Sequence, residues 1–138
     1  MCFHSSQVKS VNILEKRFGV NLLNENYRQI FNIPSYHLNG FSHPNMLVIS
    51  QDKTENLVSG VWGLVPQHIS YNSIQSYFKE SVKFGAGLNA KSEKLFTYFM
   101  YKKSSLTQRC IIPVTGFFEP HEFNKTKYPF YNNFKFSN

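Results

Sequence analysis

The chain is short of cysteine, short of acid and without a long apolar run, and each shortage excludes something. Its 138 residues hold two cysteines, Cys2 and Cys110, and one tryptophan, Trp62. The cysteines form no Cys-x-x-Cys pair and have no histidine-rich neighbourhood, so no metal site is expected, and no cofactor. They could pair with one another, but nothing else looks secreted, because the N-terminus lacks the apolar stretch of a signal peptide. No segment approaches ~18 consecutive apolar residues, so no membrane span and no membrane partner are expected. The chain reads as cytoplasmic, with reduced thiols. Repeats and low-complexity segments are also missing. Only eight Asp and Glu stand against fifteen Lys and Arg, a formal charge of +7 spread along the chain. Such a balance favours a polyanionic partner, with nucleic acid first among the candidates.

What the chain has in plenty is aromatic residues. Fourteen Phe and eight Tyr, within 41% hydrophobic content, argue for a folded, strand-rich core. The length suits a single domain over residues 1–138.

The placement of Cys2, directly behind Met1, is the chemically suggestive feature. Removal of Met1 would leave an α-amine and a thiol on adjacent carbons. The amine titrates near pH ~8 and the thiol near ~8.5, so both are partly nucleophilic at neutral pH. The amine can condense with an aldehyde to a Schiff base. The thiol can then close onto the imine as a five-membered thiazolidine. By position alone, chance explains Cys2 more readily than chemistry does.

Along the chain, Val8, Val11, Leu14 and Phe18 recur at helical spacing and predict a helix over residues 6–18, capped by Ser5 or Ser6. Residues 19–45 read as loop-rich. Residues 46–50 and 57–64 predict a hairpin around a polar turn. Helices are expected over 72–84 and 93–103. Strands are expected at 110–114 and 117–119, around Gly116, and from 128 onward. The pattern is mixed α+β with mostly short antiparallel strands.

Three segments accompany Cys2. They are Val61-Trp-Gly-Leu-Val-Pro66, Leu88-Asn-Ala-Lys-Ser-Glu93 and Arg109-Cys-Ile-Ile-Pro-Val-Thr-Gly-Phe-Phe-Glu119. In this order and spacing the chain resembles the SRAP family, the SOS-response-associated peptidase or abasic-site processing proteins, over nearly all of its length. The resemblance implies an α+β fold of mostly antiparallel strands in a barrel-like arrangement with a few peripheral helices. It also implies a reaction with single-stranded DNA. An abasic sugar opens to an aldehyde, and the Met-trimmed Cys2 traps it as a thiazolidine DNA–protein crosslink. Autocatalytic removal of Met1 is the associated peptidase activity.

The resemblance assigns catalytic roles to Cys2, Asn89 and Glu119. Glu119 would shuttle protons as a carboxylic acid whose pKa is raised in an aromatic setting. The Asn89 amide would hold the amine or the sugar hydroxyl. Outside the motif, Glu119 would read as a solvated strand-end carboxylate and Asn89 as a turn residue. Lys91, His4, Trp62 and Arg109 are the candidate DNA contacts, although core packing explains Trp62 better than base stacking does. The partner implied is single-stranded DNA with abasic sites, and the expected state is a monomer.

Four departures from the family pattern stand out. His4 replaces the usual Arg. Gln67 and His68 stand where Trp is common. Pro120 follows Glu119 where Trp is frequent, and is expected to end strand pairing there. The family's later active-site His lies beyond Asn138, so the chain is expected to be an N-terminal portion of the domain. Other readings are a non-catalytic single-stranded DNA-binding module, a different N-terminal-nucleophile hydrolase, or an inactive structural fragment.

Overall fold

A computed structural model describes residues 3–84, 87–88 and 90–133. Strands β1 (His4–Gln7), β2 (Asn21–Leu22), β3 (Ser35–Asn39), β4 (Asn45–Ser50), β5 (Asn56–Val61), β6 (Cys110–Ile111), β7 (Gly116–Phe123) and β8 (Thr126–Asn133) alternate with four helices. The helices are α1 (Val11–Phe18), α2 (Arg28–Phe31), α3 (Ile74–Ser81) and α4 (Phe99–Thr107). The mixed α+β expectation holds. The strands form two four-stranded sheets, in the orders β3-β1-β7-β8 and β2-β5-β4-β6. All pairings are antiparallel except β2 with β5. The barrel-like closure is not among the strand pairings of the described residues.

The apolar core belongs to the second sheet. Val11 and Leu14 of α1 pack on Val20, Leu22, Leu47, Ile49 and Leu57. Their i, i+3 spacing lays one stripe of the helix on the sheet. The helix begins later than its periodicity suggests, because residues 4–7 form β1 instead. Ser5 and Ser6 are therefore buried in a strand and do not cap the helix. Ser10 occupies the N-cap without a side-chain bond. Asn32 meets part of that need, its Oδ1 accepting from the Val11 N–H at 2.9 Å. Gly19, at φ 65°, ends the helix in the left-handed conformation.

The predicted hairpin appears as β4 and β5, with Met46 opposite Gly60 and Val48 opposite Val58. Two other expectations fail. Residues 19–45 are not simply loop, since β2, α2 and β3 lie there. The third predicted helix also shifts from 93–103 to Phe99–Thr107, and none of its residues is buried. Leu95, Phe96 and Phe99 share a helical period, but a turn at Ser92–Lys94 precedes the helix and they make no common buried face.

The first sheet is held differently. Ser6 Oγ bonds Thr115 Oγ1 at 3.0 Å and the Tyr131 hydroxyl at 2.8 Å, and the Thr115 hydroxyl donates to the Ser6 carbonyl at 3.0 Å. Gly116 makes room for this cluster. A Cβ there would lie 2.5 Å from the Tyr131 hydroxyl and 2.6 Å from the Asn132 carbonyl.

Pro120 does not end strand pairing on both sides. β7 runs through it to Phe123, and Pro120 stands directly opposite Pro129 of β8. Neither proline has an N–H, so this must be a non-hydrogen-bonded pair whose nitrogens point away from each other. Pro129 faces the outer edge of β8, and Pro120 faces the flank occupied by β1. On that flank the last pairing among the described residues is His4 with Phe118.

Candidate active site

The expected proton shuttle, Glu119, is half-buried on β7, one residue past the last β1 pairing. Beside it the sheet opens into a pocket of about 280 Å³. Phe3 and His4 form one wall, Phe118 and Pro120 flank Glu119, and Lys127, Tyr128 and Pro129 close the β8 side. Pro120 offers no N–H toward the β1 flank.

The arm entering this pocket is pinned at Phe3. Its carbonyl accepts from the Gly40 N–H at 2.8 Å. A Cβ at Gly40 would sit 3.2 Å from both that carbonyl and the Trp62 ring, so glycine permits a three-way approach. The Phe3 ring lies 5.0 Å from Phe41. Trp62 thus braces the arm through Gly40, and its backbone N–H is tied to the Pro44 carbonyl at 2.9 Å.

His4 is opposite both Phe118 and Asn39. Its Nδ1 lies 3.0 Å from Nε2 of His37 on β3. The His37 ring meets Phe118 edge-on at 5.6 Å, and Phe118 packs on Tyr131 at 4.8 Å. Sequence reasoning gave His37 no role. Strand β3 was hidden in a segment that reads as loop, so nothing indicated that His37 would lie across from His4.

The candidate residues therefore divide. Glu119 and His4 share one pocket, and Trp62 backs the arm leading to it. Cys2 and Asn89 lie outside the described residues, and the chain resumes at Ala90. Lys91 is elsewhere, in a hollow of about 250 Å³ that it lines with Lys94, Tyr98 and Tyr101. Arg109 is exposed at the start of β6, where its N–H donates to the Gln51 side chain at 3.2 Å. A larger cleft of about 570 Å³ contains His43 and Lys79 but no carboxylate. The His43 Nδ1 is committed to the Trp62 carbonyl at 2.8 Å. Cys110 carries a free thiol, and desolvation pushes its pKa up, the opposite of an activated nucleophile. Among the described residues no cluster of three or more His, Cys, Asp or Glu could hold a metal. None of the described helices is long and apolar enough to cross a membrane.

The family model described as SOS response associated peptidase (SRAP) matches residues 1–137. The chain belongs to the SRAP family. A crystal structure of a protein from Bacteroides thetaiotaomicron shares the fold with a TM-score of 0.74 at 27% identity. The match covers 94% of this chain and 53% of that one, so the chain spans about half the length of the solved protein it matches. None of the curated proteins matches. Phe3 and Glu119 line the same pocket.

Proposed function

We propose that this SRAP protein processes abasic sites in single-stranded DNA by covalent capture on Cys2. The observation that carries the reading is the Glu119 pocket, whose wall includes Phe3, the residue directly after Cys2. The reaction begins when the Cys2 α-amine adds to the C1′ aldehyde of the ring-opened sugar. The resulting carbinolamine loses water, which requires a proton delivered to its hydroxyl. Glu119 supplies that proton and recovers one as the amine is consumed. The Cys2 sulfur then attacks the imine carbon, the nitrogen takes up a proton, and the thiazolidine closes with no oxidant or reductant. Asn89 orients the amine or a sugar hydroxyl. Removal of Met1 by the same nucleophile exposes the amine beforehand. His4 and Trp62 lie on the lesion side, while Lys91 and Arg109 contact the backbone.

Three measurements test this. Intact mass should show loss of one Met. A single-stranded oligonucleotide with one abasic site should give a band that survives denaturing electrophoresis, and Cys2→Ala should abolish it. Glu119→Gln should slow its formation by roughly 10² to 10⁴-fold. Native-gel binding with no denaturant-resistant band would overturn the covalent reading.

That outcome would favour the second reading, a non-catalytic single-stranded DNA-binding module. The hollow formed by Lys91, Lys94, Tyr98 and Tyr101 supports it, since two ammonium groups and two phenol rings suit a phosphate and a stacked base.

A further inference from the structure

We propose that His4 and His37 form a two-ring proton relay from solvent into the Glu119 pocket, with His4 delivering the proton and His37 as its positioning partner. The inference rests on the reading of that pocket as the reaction site. A hydrogen bond between two ring nitrogens 3.0 Å apart needs one N–H and one lone pair. At least one of the rings is therefore neutral while the bond lasts, and the pair holds at most one extra proton. The atoms in the bond are His4 Nδ1 and His37 Nε2. Each ring keeps its other nitrogen, Nε2 of His4 and Nδ1 of His37, for another partner.

The surroundings of the two rings differ as a relay requires. His4 is half-buried and forms part of the pocket wall, whereas His37 is exposed on the neighbouring strand. A proton taken from water at His37 Nδ1 pushes the His37 Nε2 proton onto His4 Nδ1. His4 then releases its Nε2 proton into the pocket. One proton enters, one leaves, and both rings finish in the alternative tautomer with the bond reversed. The rings are held in place for this. Their centroids are 5.0 Å apart, tilted by 32°, and the Phe118 ring supports His37 from β7 at an interplanar angle of 81°. The titratable groups facing the pocket from the packed elements are Glu119 on β7 and Lys127 and Tyr128 on β8.

The test uses the full chain and two independent readouts. Ring ¹⁵N NMR should show His4 Nδ1 and His37 Nε2 sharing one hydrogen bond, with a proton on one of the two nitrogens. In His37→Phe, which keeps a ring but removes the nitrogen, His4 should lose the hydrogen bond at Nδ1 and its tautomer preference should change. An unchanged His4 tautomer in this variant would overturn the relay. The second readout is the pH–rate profile of adduct formation on an abasic single-stranded oligonucleotide. His4→Phe should slow the reaction by roughly 10²-fold, and His37→Phe should displace the acidic limb of the profile. His37→Gln retains a hydrogen bond to His4 but carries no titrating proton. It should restore thermal stability without restoring the profile. If native protein forms no adduct, the reaction reading fails and the relay fails with it as part of that reaction. If an adduct forms and its pH profile ignores both His37 substitutions, the relay alone is overturned.

Discussion

The two sheets of this SRAP protein are built from opposite materials. The second sheet holds the apolar cluster of Val11, Leu14, Val20, Leu22, Leu47, Ile49 and Leu57, several of them sealed from solvent. The first sheet, which carries the candidate site, buries Ser5, Ser6 and Thr115 and leaves Phe123, Tyr128, Phe130 and Tyr131 between 41% and 62% exposed. One sheet is stabilised by removing hydrocarbon from water, the other by the Ser6–Thr115–Tyr131 hydroxyl cluster and by aromatic contacts along its face, while the buried Ser5 hydroxyl has no hydrogen-bond partner among the described residues. The division places the polar chemistry where the backbone is fixed by hydrogen bonds, away from the hydrocarbon interior.

Substitutions on each side should separate these contributions. The largest effect on stability is expected from Leu57→Ala, since Leu57 is fully buried. It should cost about 2–5 kcal/mol in a denaturant titration, with the pocket chemistry intact in the fraction that remains folded. Comparable damage from a first-sheet aromatic would erase the contrast. Ser6→Ala comes next, at about 1–2 kcal/mol, because it removes a partner from Thr115 and from the Tyr131 hydroxyl. Here the loss of stability should be joined by slower adduct formation, as β1 carries His4.

The smallest effect concerns the clamp between α1 and α2. Arg28 donates to both carboxylate oxygens of Glu15 at 2.9 Å and also pairs with Glu25. The Arg28 hydrogen bonds hold the Glu15 and Glu25 carboxyls below their ordinary range. A lowered folded-state pKa contributes stability above the ordinary carboxylate range and loses it as the pH falls through the folded value. Arg28→Met should therefore flatten the acid limb of a melting-temperature profile, and added salt should shrink the difference because the pair is solvent-accessible. A profile that keeps its acid limb would mean that the clamp contributes nothing.

The motif residues were legible in the sequence because each segment has its own short text. The β4–β5 hairpin was equally legible from two apolar runs around a polar turn. The start of α1 was not. Val8 continues the period of Val11 and Leu14, and nothing local shows that Ser5 and Ser6 are needed between two neighbouring strands. Strand β3 was lost for a similar reason. Tyr36 is 75% exposed and His37 is also exposed, so the strand has no clear alternation to reveal it. Its existence depends on pairing with β1, a contact between residues more than thirty positions apart, such as Ser5 with Leu38. The His4–His37 bond is invisible for the same reason. Pro120 misleads in the other direction. Taken alone it reads as a strand stop, but facing Pro129 it lies inside an unbroken β7–β8 ladder.

The facing prolines also bear on solubility. An exposed outer strand rich in aromatic residues is a template on which another chain can zip up. On β8, Pro129 deletes an amide from that outer edge, and Lys127 adds a charge two residues away. Together they interrupt, among the described residues, the ladder that an aggregating strand would need.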